Sequence, residues 1–421
     1  MEGKLHSCRP LILLIAANIL GMALIMIKEQ RLDYNMAVLC GIMCGINIAA
    51  YLLISLLKMG DGYIFIIISM LSTVGVIMQT RIDSGGGIRQ MKLYLFGTAV
   101  YFAVFFVYRL FGKKLWRMPA VCFFVSVVLF ILTAVFGTVR YGSKNWIVIG
   151  GVSVQPSEVI RILFVLSLAA ILTAGKKKNS ENEKDEIKIS NKKRLMAAAA
   201  VAYVNMGFLL LQREWGIAVL FFAIYLSFLY IYGKNKVFML LNLAAALAGG
   251  LFGCKYMSHI RVRVSTWLDP FSDAAGKGYQ ITQSLFAIGA GGFEGRGIGN
   301  GSPYFIPVVS SDFIFSAICE EMGVLGATAV ILLYFVLVYR GFKIALSSTN
   351  EFHKAVSIGL SVMLGVQTFI IIGGVTKLIP LTGITLPFIS YGGSSMLTTF
   401  AALGVLQAIS AMRGEQTDEI E

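Results

Sequence analysis

Histidine is nearly absent: three occur in 421 residues, His6, His259 and His353, far apart in the chain. That scarcity argues against a metal centre built on imidazole. Cysteine is also sparse. Cys8, Cys40, Cys44, Cys122, Cys254 and Cys319 fall mostly in apolar runs with no Cys-x-x-Cys spacing. They read as small core residues, which excludes a disulfide framework and a thiolate metal site. Charge is scarce too, at 14% of residues, and acids are the rarer sign: 22 Asp and Glu against 36 Lys and Arg, for a net charge of +14. A carboxylate inside an apolar run therefore carries information, because such groups are expensive in or beside a bilayer. The positive balance does not point to nucleic acid. The basic residues cluster in short stretches between apolar runs, the pattern of cytoplasmic loops. No polar stretch is long enough for a soluble module.

What fills the chain is apolar side chain. Hydrophobic residues make up 57% of it and the mean hydropathy is +0.78, where soluble chains average about 45–50% apolar. Runs near 20 residues, the length that crosses hydrocarbon as a helix, predict about twelve spans, over 10–27, 36–57, 62–79, 93–111, 115–137, 157–174, 195–211, 214–233, 237–254, 313–339, 355–376 and 395–409. The expected fold is an all-α polytopic membrane protein. The densest Lys/Arg stretches, 109–117 and 176–194, fall on one side if the spans alternate. That side is expected to be cytoplasmic, with both termini on it. Lys4 and Arg9 precede a first run that is long for a signal peptide, so it reads as a retained anchor. Stretch 176–194 is expected to be a solvated loop, and 413–421 a frayed cytoplasmic tail.

The opposite side receives 138–156, 255–312 and 377–385. Segment 255–312 is long for a loop, and such loops are usually functional or disordered. This one carries Trp267, Tyr279, Ile281, Leu285, Phe286 and Ile288. Helical spacing from Tyr279 to Ile288 predicts an interfacial amphipathic helix. Glycines then crowd 289–301, which lets backbone approach a ligand or turn tightly.

Asp312 follows, at the start of a span. Its carboxylate reads either as a helix cap or as a general base with a raised pKa. Glu320 and Glu321 lie two to three turns on and point about 100° apart. They read as structural groups that pair with a basic residue or hold the helix bundle together. Gln155-Pro156-Ser157-Glu158 makes a helix start, and Arg161 is placed to pair with Glu158 at i, i+3. Glu214 lies in a polar knot, Gln212-Arg213-Glu214-Trp215-Gly216. Outer-side cations are Arg140, Lys144, Arg261, Arg263, Lys277, Arg296 and Lys377, which suit an anionic ligand such as a pyrophosphate. Segment 387–395 has Pro, paired Gly and hydroxyls at the start of the last span, the mark of a broken entry covered by protein or a cavity. The residues alone leave open an enzyme acting on a lipid-linked substrate, a transporter with broken spans, or a scaffold.

Several short motifs in this order resemble the SEDS family of cell-wall glycan polymerases, the RodA, FtsW and SpoVE group. They are Gly142-Ser143-Lys144-Asn145-Trp146; Gln155-Pro156-Ser157-Glu158; Leu268-Asp269-Pro270 with Gly278-Tyr279-Gln280 and Gln283-Ser284; Ser311-Asp312-Phe313-Ile314-Phe315 with Glu320-Glu321-Met322-Gly323; and Pro380-Leu381-Thr382-Gly383 running into 387–395. The resemblance implies a ten-helix core over 62–412 behind a two-helix extension, 1–61. It implies a peptidoglycan glycosyltransferase acting on lipid II, with Asp312 as the base that deprotonates the acceptor's 4-hydroxyl. The substrate would meet Lys144, Trp146, Gln155, Ser157, Glu158, Arg261, Arg263, Lys277, Gln283, Lys377, Ser390 and Tyr391, with Arg161, Glu214, Glu320 and Glu321 shaping the cavity. A divalent cation, Mg or Mn, is a candidate cofactor. The expected partners are a class B penicillin-binding protein and other divisome or elongasome membrane proteins. The chain departs from the family pattern at Pro307-Val308-Val309-Ser310-Ser311, where Pro-Glu-x-His-Thr is usual, at Arg161 in place of lysine, and at Gln212–Gly216, which lacks the usual proline.

Overall fold

The computed structural model describes residues 2–28, 34–115, 118–140, 143–174, 183–233 and 235–418. Among them, twelve helices are long and apolar enough to cross a membrane. These are α1 (Glu2–Lys28), α2 (Tyr34–Leu56), α3 (Gly62–Ile82), α4 (Ser84–Leu115), α5 (Pro119–Phe136), α6 (Pro156–Thr173), α7 (Glu183–Leu211), α8 (Trp215–Tyr232), α9 (Lys236–Tyr256), α12 (Ile314–Ser347), α13 (Glu351–Val375) and α14 (Gly393–Asp418). Two shorter helices, α10 (Ser258–Leu268) and α11 (Tyr279–Gly291), lie in the long segment between α9 and α12.

Local chemistry sets the ends. Pro119 and Pro156 open α5 and α6, where a missing N–H costs nothing. Asp61, Asn235 and Asn350 cap α3, α9 and α13 by accepting backbone N–H bonds. Helices α3, α6, α13 and α14 form the buried centre, whereas α5 and α9 are mostly exposed to lipid. On α9 only Asn242 and Gly253 are buried. The α1–α2 pair leans on α3 through a buried bond from Thr73 Oγ1 to Asn18 Oδ1 (2.9 Å).

Three features differ from the sequence reading. Segment 138–156 is no plain loop but a three-stranded antiparallel sheet, β1 (Thr138–Arg140), β2 (Ser143–Ile149) and β3 (Val152–Val154). Its β2–β3 turn is Gly150-Gly151, both at positive φ, the conformation a two-residue hairpin requires. Helices α7 and α14 also run past the predicted spans: α7 begins at Glu183 and α14 reaches Asp418. Once a span has nucleated a helix, extending it is cheap, even through polar sequence. The rest of the charged stretch, 175–182, lies outside the described residues, as do Gly142 of the first motif and 419–421 of the tail.

The third difference is in α12. Gly323 has φ 64° and ψ −167°, so the helix breaks there. Val324 N and Leu325 N donate to Gly292 O and Phe293 O, and Arg296 N and Gly297 N donate to Glu320 O and Glu321 O. The Gly-rich loop thus completes the ladder on both sides of the break. A Cβ on Gly323 would sit 2.3 Å from Gly295 N, so only glycine fits. The piece beyond the break, 324–347, is about 36 Å long at 1.5 Å per residue and spans the bilayer by itself.

Candidate active site

Asp312 stands in a turn ahead of α12. Ser311 N and Asp312 N both donate to Val308 O (3.2 Å each). Val308 is held at φ 56°, unfavourable for a β-branched residue and a mark of a backbone fixed by its surroundings. The helix starts only at Ile314, with Phe313 at the cap position and no side-chain cap bond. The cap reading of Asp312 is therefore corrected: the turn carries its carboxylate away from the helix N-terminus.

Neighbouring elements hold this turn. Ser310 O accepts Gln79 Nε2 (2.6 Å) from α3 and Tyr391 N (2.8 Å). Ser311 O accepts the Ser390 hydroxyl, which in turn accepts Leu386 N (2.9 Å). Gln90 Nε2 on α4 donates to Phe388 O (3.2 Å), and the Tyr334 hydroxyl on α12 donates to Pro387 O. The broken entry to α14 is thus covered by α4 and α12, each supplying a donor to one of its carbonyls, while α3 supplies one to the Asp312 turn.

Across the turn lies α10, which presents Arg263. Arg263 Nη1 donates to Leu381 O (2.9 Å), and Trp267 Nε1 donates to Lys377 O (3.1 Å), fastening α10 to 377–383. A Cβ built on Gly383 would lie 3.6 Å from Asp312 Oδ2 and 3.7 Å from Arg263 Nη2, so the two charges are at most about 7.3 Å apart across this glycine. Asp312 is half-buried by accessible surface. Burial pushes its carboxyl above the ordinary carboxylate range, against the pull of the Ser311 hydrogen bond and the Arg263 charge.

A second polar centre adjoins the first. Glu214, buried at the start of α8, accepts Nε2 of Gln155 (2.7 Å) and Nδ2 of Asn145. Burial raises its pKa, against the Asn145, Ser157 and Gln155 hydrogen bonds and the charge of Arg161. Arg161 forms an ion pair with Glu158 one turn earlier and donates to Gln367 Oε1 (2.7 Å), Thr398 Oγ1 (3.3 Å) and Ser395 Oγ (3.4 Å). Gly216, two residues beyond Glu214, packs against Thr382, the neighbour of Gly383. The two centres therefore lie on adjoining segments.

Glu320 and Glu321 serve the Gly-rich loop. Glu321 Oε2 accepts Gly299 N (3.0 Å) and its Oε1 faces Arg81 Nε (3.2 Å); Glu320 Oε1 accepts Ser302 N (2.9 Å) and faces Arg296 (3.5 Å). Lys144 and Arg261 are bonded elsewhere, and among the described residues no bond ties the other candidates to Asp312. Lys144 turns back onto α5 to donate to Ala134 O (2.6 Å), Arg261 donates to Lys255 O, and exposed Lys277 gives its backbone N–H to Asp273 (3.0 Å). Trp146 is half-buried on β2 with its carbonyl bonded by Thr138, and Gln283 is half-buried on α11. Tyr391 is partly exposed, 5.8 Å under the Arg89 guanidinium. The sequence reading passed over Gln79, Arg81, Gln90 and Gln367. Each is a polar side chain within or next to an apolar run, which was the available signal.

Comparison with known proteins places this geometry. Residues 48–415 match the profile of the FtsW, RodA and SpoVE family, described as "Cell cycle protein". The chain is 34% identical over 365 residues to the peptidoglycan glycosyltransferase RodA of Mycobacterium bovis, covering 83% of this chain and 78% of that protein. It is 32% identical over 368 residues to stage V sporulation protein E of Bacillus subtilis, covering 83% and 96%. A chain of a solved peptidoglycan synthase complex superposes with a TM-score of 0.69 at 25% identity, over 84% of this chain and 98% of that one. RodA of Thermus thermophilus shares the fold, with a TM-score of 0.60 at 24% identity over 84% and 97%. The chain is a multi-pass membrane protein that belongs to the FtsW, RodA and SpoVE family.

Proposed function

We propose that the protein is a peptidoglycan glycosyltransferase that polymerises lipid II on the outer face of the bacterial cytoplasmic membrane. The observation that carries the reading is the juxtaposition of the Asp312 carboxyl and the Arg263 guanidinium across Gly383. Asp312 takes the proton of the acceptor's 4-hydroxyl. The oxygen attacks the donor's anomeric carbon, and the bond from that carbon to the polyprenyl diphosphate breaks. Negative charge develops on the leaving diphosphate, where a fixed guanidinium is most effective. A raised pKa suits a base that must hold the proton briefly near neutral pH. The relatives' names speak for glycosyl transfer over lipid transport.

Among the described residues no group of three or more His, Cys, Asp or Glu is gathered as a metal cluster. A single carboxylate at Asp312 fits Mg or Mn held chiefly by the substrate's own phosphates, the usual arrangement for Mg. Such an ion would neutralise charge on the diphosphate. The solved relative's description, coordination of polymerization and crosslinking in a synthase complex, supports a class B penicillin-binding protein as partner. An outer Asp312 at the start of the tenth of twelve alternating spans supports a cytoplasmic side for both termini. Purified lipid II tests the reading: Asp312→Asn should fold, insert and polymerise about 10²–10⁴-fold more slowly, the usual worth of a general base. Glycan synthesis at the unmodified rate would remove Asp312 from the chemistry.

A further inference from the structure

At the end of the bundle remote from Asp312, helices α1, α2 and α3 leave a cleft of about 510 Å³. That volume is within the roughly 300–1,000 Å³ of small-ligand pockets. Its apolar wall includes Pro10, Ile54 and Ile66, and its rim includes Ser55, Lys58 and Tyr63. The rim is preformed. Lys58 is held at φ 46°. The turn is fixed by Met59 N to Ile54 O (2.9 Å), by Asp61 N to Ser410 Oγ (2.9 Å) and by Gln407 donating to Met59 O. Among the described residues its charge is one-sided. Asp61 is paired with Arg340 (3.3 Å), whose guanidinium also covers the Tyr63 ring at 4.2 Å. Lys58 is exposed at the mouth, and exposed Arg9 adjoins Pro10.

We propose that this cleft seats one anionic phospholipid of the leaflet opposite Asp312. The phosphate lies at Lys58 and Ser55, and the upper part of an acyl chain lies against Ile54, Ile66 and Pro10. An apolar floor under a cationic, hydroxyl-bearing rim at the helix ends matches the two halves of such a lipid. A peptide or soluble metabolite would leave the floor without a counterpart.

The test is native mass spectrometry of the full chain released from vesicles of mixed phosphatidylcholine and phosphatidylglycerol. Wild type should retain one phosphatidylglycerol in preference to phosphatidylcholine. Lys58→Gln should lower that preference about fivefold, the worth of one cation at an anionic headgroup. Ile66→Trp, which fills the floor, should abolish it, and Ser55→Trp at the rim is the second filling variant. Lys236→Gln, an exposed lysine at the start of α9, should leave it unchanged. Each variant's unfolding temperature in phosphatidylcholine alone should match wild type, which separates lost binding from lost fold. Three results would overturn the proposal. One is equal losses at Lys58 and Lys236, another is full retention in both filling variants, and both describe a non-specific lipid belt. The third is displacement of phosphatidylglycerol by an equal concentration of polyprenyl phosphate.

Discussion

Arg263→Gln isolates the electrostatics of the proposed active site. Burial raises the pKa of Asp312, while the Ser311 hydrogen bond and the Arg263 charge lower it. A base works only when ionised. Removing the guanidinium raises the pKa further, so the acid limb of kcat/KM must move to higher pH. At the 7.3 Å bound set by Gly383, two unit charges interact by about 0.6 kcal/mol in water and about 2.3 kcal/mol at an effective dielectric constant of 20. The corresponding rate loss below the limb is about threefold to about fiftyfold, shrinking as pH rises and as salt screens the pair. The assay is the initial rate of lipid II polymerisation across the pH range where the protein stays folded, for wild type, Arg263→Gln and Arg263→Lys. The lysine variant should keep the wild-type limb. A limb that stays in place in Arg263→Gln, with a uniform loss at every pH, would refute the coupling and leave Arg263 a role at the leaving group alone.

Arg161→Met should destabilise the protein by about 3–5 kcal/mol, because it leaves the buried Glu158 without its partner. Glu158→Gln in the same chain should recover most of the loss in thermal unfolding in detergent, and failure to recover would assign Arg161's worth to its other partners. Gly323→Ala should cost about 1–3 kcal/mol in backbone strain alone and push the Gly-rich loop off α12, where the new Cβ would meet Gly295 N and Phe293 O at 2.3 and 2.5 Å. Limited proteolysis should then cut within 292–301 while membrane insertion persists, and wild-type resistance would show that the loop does not depend on the break.

Much of this architecture was legible because membrane spans announce themselves by length and hydropathy alone. The helical spacing from Tyr279 to Ile288 likewise became α11 (Tyr279–Gly291). The sheet was legible but unread: Trp146-Ile147-Val148-Ile149, Gly-Gly and Val152-Ser153-Val154 form a hairpin pattern. Span length and hydropathy alone say nothing of the stretch that joins two spans. The break in α12 was hidden, since Gly323 inside an apolar run is equally compatible with an unbroken helix and only a second backbone 2.3 Å away forbids one. Cation placement was the least legible. Charge and side of the membrane group Lys144, Arg261, Lys277 and Arg263 together, but local turn and helix geometry decides whether a long side chain lies near the carboxylate, as Arg263 does, or bonds a carbonyl elsewhere, as Lys144 and Arg261 do.

The interruption at Gly323 bears on how the enzyme tolerates its surroundings. Spanning helices meet thicker or thinner lipid by leaning, and a rigid rod running from the membrane interior to the carboxyl proposed as the base would transmit every degree of lean to it. Here the hydrogen-bond ladder is handed to the Gly-rich loop at that residue. Piece 314–322, which begins two residues after Asp312, is therefore seated on the loop's backbone as well as on the span that meets the lipid, so the level of that carboxyl is set by two supports and not by one rod.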